Sequence, residues 1–246
     1  MKKIHVNFLE PPQEQLDILL KYYQAGRYVE VEKLSLSITQ EFPKHQFAWK
    51  VLAAMLKQNG RISESLIVSQ KSVLLDPQDA EAHNNLSVLL QELGRLEEAE
   101  ASYRKAIALK PGYAKAHSNL GNIMNELGRL EEAVVSYRKA IELEPDYAEA
   151  HYNLGVLLQE LGRLEEAEAS YRKAIALKPD FAKAHCNFGV IMCELGRLEE
   201  AVVSYRKAIA LKPDYAEAHN NLGVMLQKDR KLNEACSAYI QAINLN

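Results

Sequence analysis

Five histidines, His83, His117, His151, His185 and His219, are the first residues in the chain that could bind a metal or carry a proton. Each lies thirty-four residues from the last. If every copy belongs to one helical layer, neighbouring imidazoles sit on the order of 10 Å apart. Zinc needs its ligands about 2 Å from a single centre, so the series does not form a metal site and reads as packing. Trp49 takes the same place one period earlier. Cys186 and Cys193 fall seven apart. On a helix that is about 10 Å along one face, beyond the roughly 7 Å between Cα atoms that a disulfide allows. They are expected to line a groove as small apolar side chains, and with Cys236 they make no disulfide framework. Glu92, Glu126, Glu160 and Glu194 form a row at the thirteenth place of the period, either a solvated face or an acidic margin favouring a basic residue in a ligand. No phosphate loop, nucleophile elbow or paired carboxylates occur, so no catalytic residue, metal or cofactor is expected.

The asparagines carry more information. Asn85, Asn119, Asn153, Asn187 and Asn221 recur at one place of the period, where Val51 and Asp17 stand earlier in the chain. Asparagine is a mediocre helix former, so something other than propensity favours it in mid-helix. Its amide could bond a neighbouring helix, or form a ladder gripping a peptide backbone, because an amide donates and accepts at once.

The elements that position these residues follow from the period itself. The stretch 148–181 reads AEAHYNLGVLLQELGRLEEAEASYRKAIALKPDF. Ala150, Leu154, Leu157, Leu158 and Leu161 make the apolar stripe of one helix; Leu164, Ala167, Tyr171, Ala174 and Ile175 make that of a second. Gly162 separates the two, as a left-handed residue ending the first. Glu165 and Glu166 suit the positive end of the second helix, and Arg172 and Lys173 lie toward its other end. Pro179 bars continuation, and Asp180 is a plausible N-cap for the next helix.

Leu154-Gly155, Leu158, Gly162, Ala167, Tyr171, Ala174 and Pro179 resemble the signature of the tetratricopeptide repeat. The resemblance implies an all-α fold, a right-handed superhelical α-solenoid of seven helix–turn–helix repeats. A leader would occupy 1–11, its IHVNFL pairing as a strand or packing on the first helix. Two diverged repeats would cap the N-terminal end over 12–79, and five consensus-like repeats, the last shortened, would fill 80–246. The resemblance also implies a concave groove lined by the fifth, ninth and twelfth places of each first helix. Copies within this chain have drifted there: Asn84 has become Tyr152, while Ser118, Asn122 and Asn125 have become Cys186, Val190 and Cys193. Drift also occurs at Glu142/Ala210 and Glu144/Lys212, so the changes read either as groove variation or as neutral surface change; on the first reading Asn122, Tyr152, Val156 and Val190 join the five asparagines as expected peptide-binding residues. The asparagine series in its HxNL setting is similar to that of the repeat region of O-linked N-acetylglucosamine transferases. The lysine-plus-asparagine clamp with which some tetratricopeptide repeats hold acidic chaperone tails is not assembled: Lys50 is followed by Ala54, and Asn122 is preceded by Ser118.

A net charge of −3 gives no pull toward nucleic acid or an anionic membrane, and no apolar run approaches the roughly 20 residues of a membrane helix. The expected function is a non-catalytic, cytoplasmic scaffold binding an extended peptide or partner protein. A second reading makes the chain the substrate-recruiting part of a longer glycosyltransferase or sulfotransferase, suggested by the abrupt stop at Asn246. A third is a self-assembling array, because Leu232, Ala235, Tyr239, Ala242 and Ile243 have no following helix to cover them.

Overall fold

The computed structural model describes residues 10–245, and among them there are fourteen α-helices and no strand. They run α1 (Gln13–Gln24), α2 (Tyr28–Glu41), α3 (Gln46–Gln58), α4 (Ile62–Leu75), α5 (Ala80–Glu92), α6 (Leu96–Leu109) and α7 (Ala114–Glu126), then α8 (Leu130–Leu143), α9 (Ala148–Glu160), α10 (Leu164–Leu177), α11 (Ala182–Glu194), α12 (Leu198–Leu211), α13 (Ala216–Lys228) and α14 (Leu232–Asn244). This is an all-α solenoid of seven helix–turn–helix pairs. The expectation for IHVNFL falls outside the described residues. The chain forms two compact bodies, one up to Ile123 and one from Met124 onward, with the division inside α7.

In the C-terminal body, α10 packs against both α9 and α11, so its stripe is shared between its own hairpin and the next. Ala150, Leu157, Leu158, Ala167, Tyr171 and Ala174 are buried almost completely. Small residues set how closely the two helices approach. A Cβ added to Gly155 would lie 2.8 Å from the Tyr171 ring, so the glycine vacates the space the phenol fills. Gly162 adopts φ +70°, the left-handed turn expected of it. Two local expectations need correction. Phe181, not Asp180, occupies the N-cap of α11 and makes no side-chain cap, because Asp180 belongs to the preceding turn, which the Phe181 N–H closes on the Lys178 carbonyl at 3.1 Å. Arg172 stops short of the last turn of α10, where no basic residue stands, and its guanidinium instead pairs with Glu168 one turn back at 2.7 Å.

In the N-terminal body the first hairpin is closed by Leu19, Val31, Ile38, Phe42, Ala48 and Met55. Val31 stands where later repeats carry alanine and is fully buried. Asp79 does what Asp180 does not. Its Oδ1 accepts the backbone N–H of Glu81 and Ala82 at 2.9 and 3.0 Å, capping α5. Its Oδ2 accepts from Gln46 at 2.8 Å and Lys50 at 2.9 Å. Burial alone would raise this carboxyl, but the bonds from Lys50, the Ala82 N–H and Gln46 outweigh it and hold the pKa below the usual value. In later repeats an aromatic residue takes this place, as Tyr147, Phe181 and Tyr215 do.

Candidate functional site

The histidine series has a positive structural role. His83, His117, His151, His185 and His219 each place Nε2 between 2.9 and 3.2 Å from the carbonyl oxygen of the proline six residues earlier. Trp49 Nε1 makes the same bond to Pro43 at 3.0 Å. Indole can only donate and a carbonyl can only accept, so Nε2 carries the proton in the histidine copies. Burial lowers the pKa of His151 and His185 against the raising effect of that bond. Among the described residues no group of three His, Cys, Asp or Glu could hold a metal ion.

In the C-terminal body the sixth-place asparagines sit beside an aromatic cluster. The Tyr152 ring lies 4.8 Å from that of Phe181, tilted by 41°, and 6.0 Å from that of Tyr171. Asn187 Nδ2 reaches Tyr152 Oη at 3.3 Å and Tyr171 Oη at 3.4 Å, long hydrogen bonds between successive repeats. Tyr171 Oη in turn donates to Gln159 at 3.1 Å. Burial raises the pKa of both tyrosines. Asn187 Oδ1 has no protein partner among the described residues. Asn153, Val156, Val190 and Asn221 are half-buried, and Asn153 is engaged. The fifth place is not uniformly open, and the expected groove role of Cys186 needs correction. Cys186 is fully buried, its thiol pushed up to about 11 by burial and the nearby Glu217 charge, with bonds to Tyr215 and Asn221 pulling the other way. Cys193, in contrast, is half-exposed, with Lys228 Nζ 3.9 Å from its sulfur.

In the N-terminal body Asn85 is exposed and Asn119 half-buried. Asn84, a fifth-place residue, is buried between them: its Nδ2 reaches Asn85 Oδ1 and its Oδ1 faces Asn119 Nδ2, both at 3.4 Å. Asn119 Oδ1 has no protein partner among the described residues, and Asn122 is half-buried and engaged. Beside Asn85 and Asn119 opens a cavity of about 540 Å³. Its walls come from Ala53 on α3, Ser65, Ser69 and Ser72 on α4, and Val88 and Leu89 on α5; Lys50, Lys57 and Lys115 stand at its edge. None of these wall residues was expected from the motifs. The signal was present, since the tyrosines at 103, 137, 171, 205 and 239 keep the period and Ser69 breaks it.

Repeated helical hairpins carrying amides along their first helices define an α-solenoid. Models described as TPR repeat match residues 89–128, 121–162 and 189–229, and models described as tetratricopeptide repeat match 69–101, 148–181, 170–203 and 216–246. Together they run without a gap from 69 to 246, and the chain belongs to the tetratricopeptide repeat family. It is similar to YrrB, described as a TPR protein with an unusual peptide-binding site, at 26% identity and a TM-score of 0.61, over 72% of this chain and 92% of that one. Pseudomonas aeruginosa PilF is 21% identical with a TM-score of 0.74, over 81% and 91% of the two chains. A tetratricopeptide repeat protein from Parabacteroides merdae is 16% identical with a TM-score of 0.71, over 95% and 93%. The last two likenesses show the fold alone. No curated protein sequence matches the chain.

Proposed function

We propose that this chain is a non-catalytic protein-interaction scaffold whose first-helix faces hold an extended peptide through the sixth-place asparagines. The observation that carries the reading is the state of the Asn187 amide. Its N–H end is tied to Tyr152 and Tyr171, which fixes its orientation, while its carbonyl has no protein partner among the described residues. Asn119 repeats the arrangement in the N-terminal body, donating to Asn84. A carbonyl held this way accepts a peptide N–H without reading any side chain, so selectivity falls to neighbours such as Tyr152, Val156 and Val190. The likeness to YrrB, a peptide-binding protein of the same family, supports the reading.

The test uses peptides selected from a random displayed library on the full chain. One hydrogen bond per rung is worth about 0.5–1.5 kcal/mol. Replacing Asn187 and Asn221 together by alanine should therefore weaken the selected peptides roughly 5- to 150-fold. Thermal stability should change much less, since the 3.3–3.4 Å contacts of Asn187 are long. Unchanged affinity in a destabilised variant would mean that the amides serve packing only.

A further inference from the structure

In every repeat from the third onward, a tyrosine stands at the twenty-fourth place: Tyr103, Tyr137, Tyr171, Tyr205 and Tyr239. In the fifth, sixth and seventh repeats its ring lies over a glycine at the eighth place of the first helix: Gly155, Gly189 and Gly223. The first repeat has Ser35 in place of the tyrosine, and the space is filled from the other helix by Leu19, which is fully buried. The second repeat makes neither choice. It pairs Ala53 with Ser69, small against small, and the cavity of about 540 Å³ opens there. That size falls within the range of about 300–1,000 Å³ usual for ligand pockets. Its lining is apolar apart from hydroxyls, amides and the three lysines Lys50, Lys57 and Lys115. Ser65 Oγ donates to the Ala53 carbonyl at 2.7 Å. Ser72 Oγ, on a residue only 2% exposed, has no hydrogen-bond partner among the described residues. A buried hydroxyl left unpaired costs free energy that an incoming polar group can recover.

We propose that this cavity receives a tyrosine side chain from an acidic peptide segment, the partner supplying the ring that the second repeat lacks. This rests on the groove reading above and names what the groove selects. A phenol has an apolar body for Ala53, Val88 and Leu89 and a polar tip that a buried site must satisfy, which matches the orphaned Ser72 hydroxyl. The adjoining Asn85 and Asn119 amides lie where the peptide backbone would pass. The charge at the edge specifies the segment. Lys50 is spent on Asp79 and Glu81 and Lys57 on Glu92, but Lys115 has no carboxylate partner among the described residues. An acidic residue beside the tyrosine meets that lysine.

The experiment titrates the full chain with p-cresol, the tyrosine side chain as a free molecule, and with toluene, following backbone amide shifts. Saturable shifts confined to the neighbourhood of Ala53, Ser69, Ser72 and Leu89 are expected for both probes. Ser72→Ala should weaken p-cresol by roughly 2- to 12-fold, the worth of one hydrogen bond, and leave toluene unchanged. Ser69→Tyr, or Ala53→Leu in imitation of the first repeat, should fill the space and abolish both. Absence of saturation in the wild type, or equal binding by both filled variants, overturns the proposal. The displayed library supplies the second arm. Peptides selected on the wild type should be enriched in tyrosine flanked by Asp or Glu; Ser69→Tyr should remove the tyrosine preference and Lys115→Glu the acidic one. Selected peptides without an aromatic residue overturn the inference and leave the groove reading standing. Cresol binding with no peptide selected at all overturns the peptide as occupant and counts against both.

Discussion

The second and fifth hairpins solve the same packing problem differently. Both bring an eighth-place residue on one helix against a twenty-fourth-place residue on the other. In the fifth, Gly155 gives up its side chain and Tyr171 fills the space, with ring atoms 2.8–3.1 Å from where a Cβ would stand. In the second, Ala53 and Ser69 leave the space open. The first hairpin, with Leu19 against Ser35, shows that a small residue on one helix is harmless when the other compensates. What matters to the interior is the sum of the two volumes, because protein cores are packed near crystal density. The second hairpin is therefore the outlier, and its openness is a property of the pair.

The largest test of this comparison makes the fifth hairpin resemble the second. Tyr171→Ser removes a fully buried ring and the hydrogen bonds its hydroxyl makes with Gln159 and Asn187. We predict a local loss of about 3–5 kcal/mol, as for other large aromatic truncations. Repeat arrays open piecemeal, so the measurement is amide hydrogen exchange in α9 and α10, not one melting curve. A loss below about 1 kcal/mol would mean that the hairpin collapses around the gap, which would leave the open cavity at Ser69 unexplained.

How much of this was legible beforehand depended on the range of the interaction concerned. The hairpins, their turns and the packing of the histidines follow from spacing, because period and helix geometry determine them within one repeat. The Asp180 cap failed for a local reason: the turn after α10 takes in Asp180 and leaves Phe181 at the cap, and the sequence pattern does not resolve a single-residue boundary. Cys186 failed for a longer-range reason. Whether the fifth place faces a groove depends on what the next repeat brings against it, and Tyr215 and Asn221 cover it. The cavity at Ser69 needed two places read together: Ser35 and Ser69 look alike in the sequence, and only Leu19 against Ala53 separates a filled hairpin from an open one.

A second test adds volume to both hairpins. We predict that Gly155→Leu costs about 1–3 kcal/mol, since the new side chain must displace the Tyr171 ring. Ala53→Leu should instead gain about 0.5–2 kcal/mol, the usual return on filling a cavity. Leucine is also a better helix former than glycine by nearly ~1 kcal/mol, so the cost given for Gly155→Leu is what remains after that gain. Hydrogen exchange in α3–α4 and α9–α10 reads each change in place. If both substitutions destabilise, the volume-sum account fails.

The smallest expected effect concerns the turns, where the seventh repeat is the exception. Gly162 closes its turn at φ +70°, with its N–H donated to Gln159 at 2.9 Å and that of Arg163 to Leu158 at 2.8 Å. Arg230 makes the same turn at φ +57°, with its own N–H to Gln227 at 3.1 Å and that of Lys231 to Leu226 at 2.9 Å. The hydrogen bonds match, so the difference lies in the side chain: a left-handed residue with a Cβ is strained by about 1–2 kcal/mol. Glycine relieves that strain but frees the unfolded chain by about 0.4–1 kcal/mol. The net prediction for Arg230→Gly is a gain on the order of 0.5–1 kcal/mol, and for Gly162→Arg a loss of similar size. At about 1 kcal/mol the protection of α13 and α14 amides should rise up to roughly fivefold. The Lys231–Asp229 ion pair, at 2.6 Å but more than half exposed on both sides, contributes little to either result. Unchanged or reduced protection in Arg230→Gly would show that the seventh turn is held by something other than its backbone geometry.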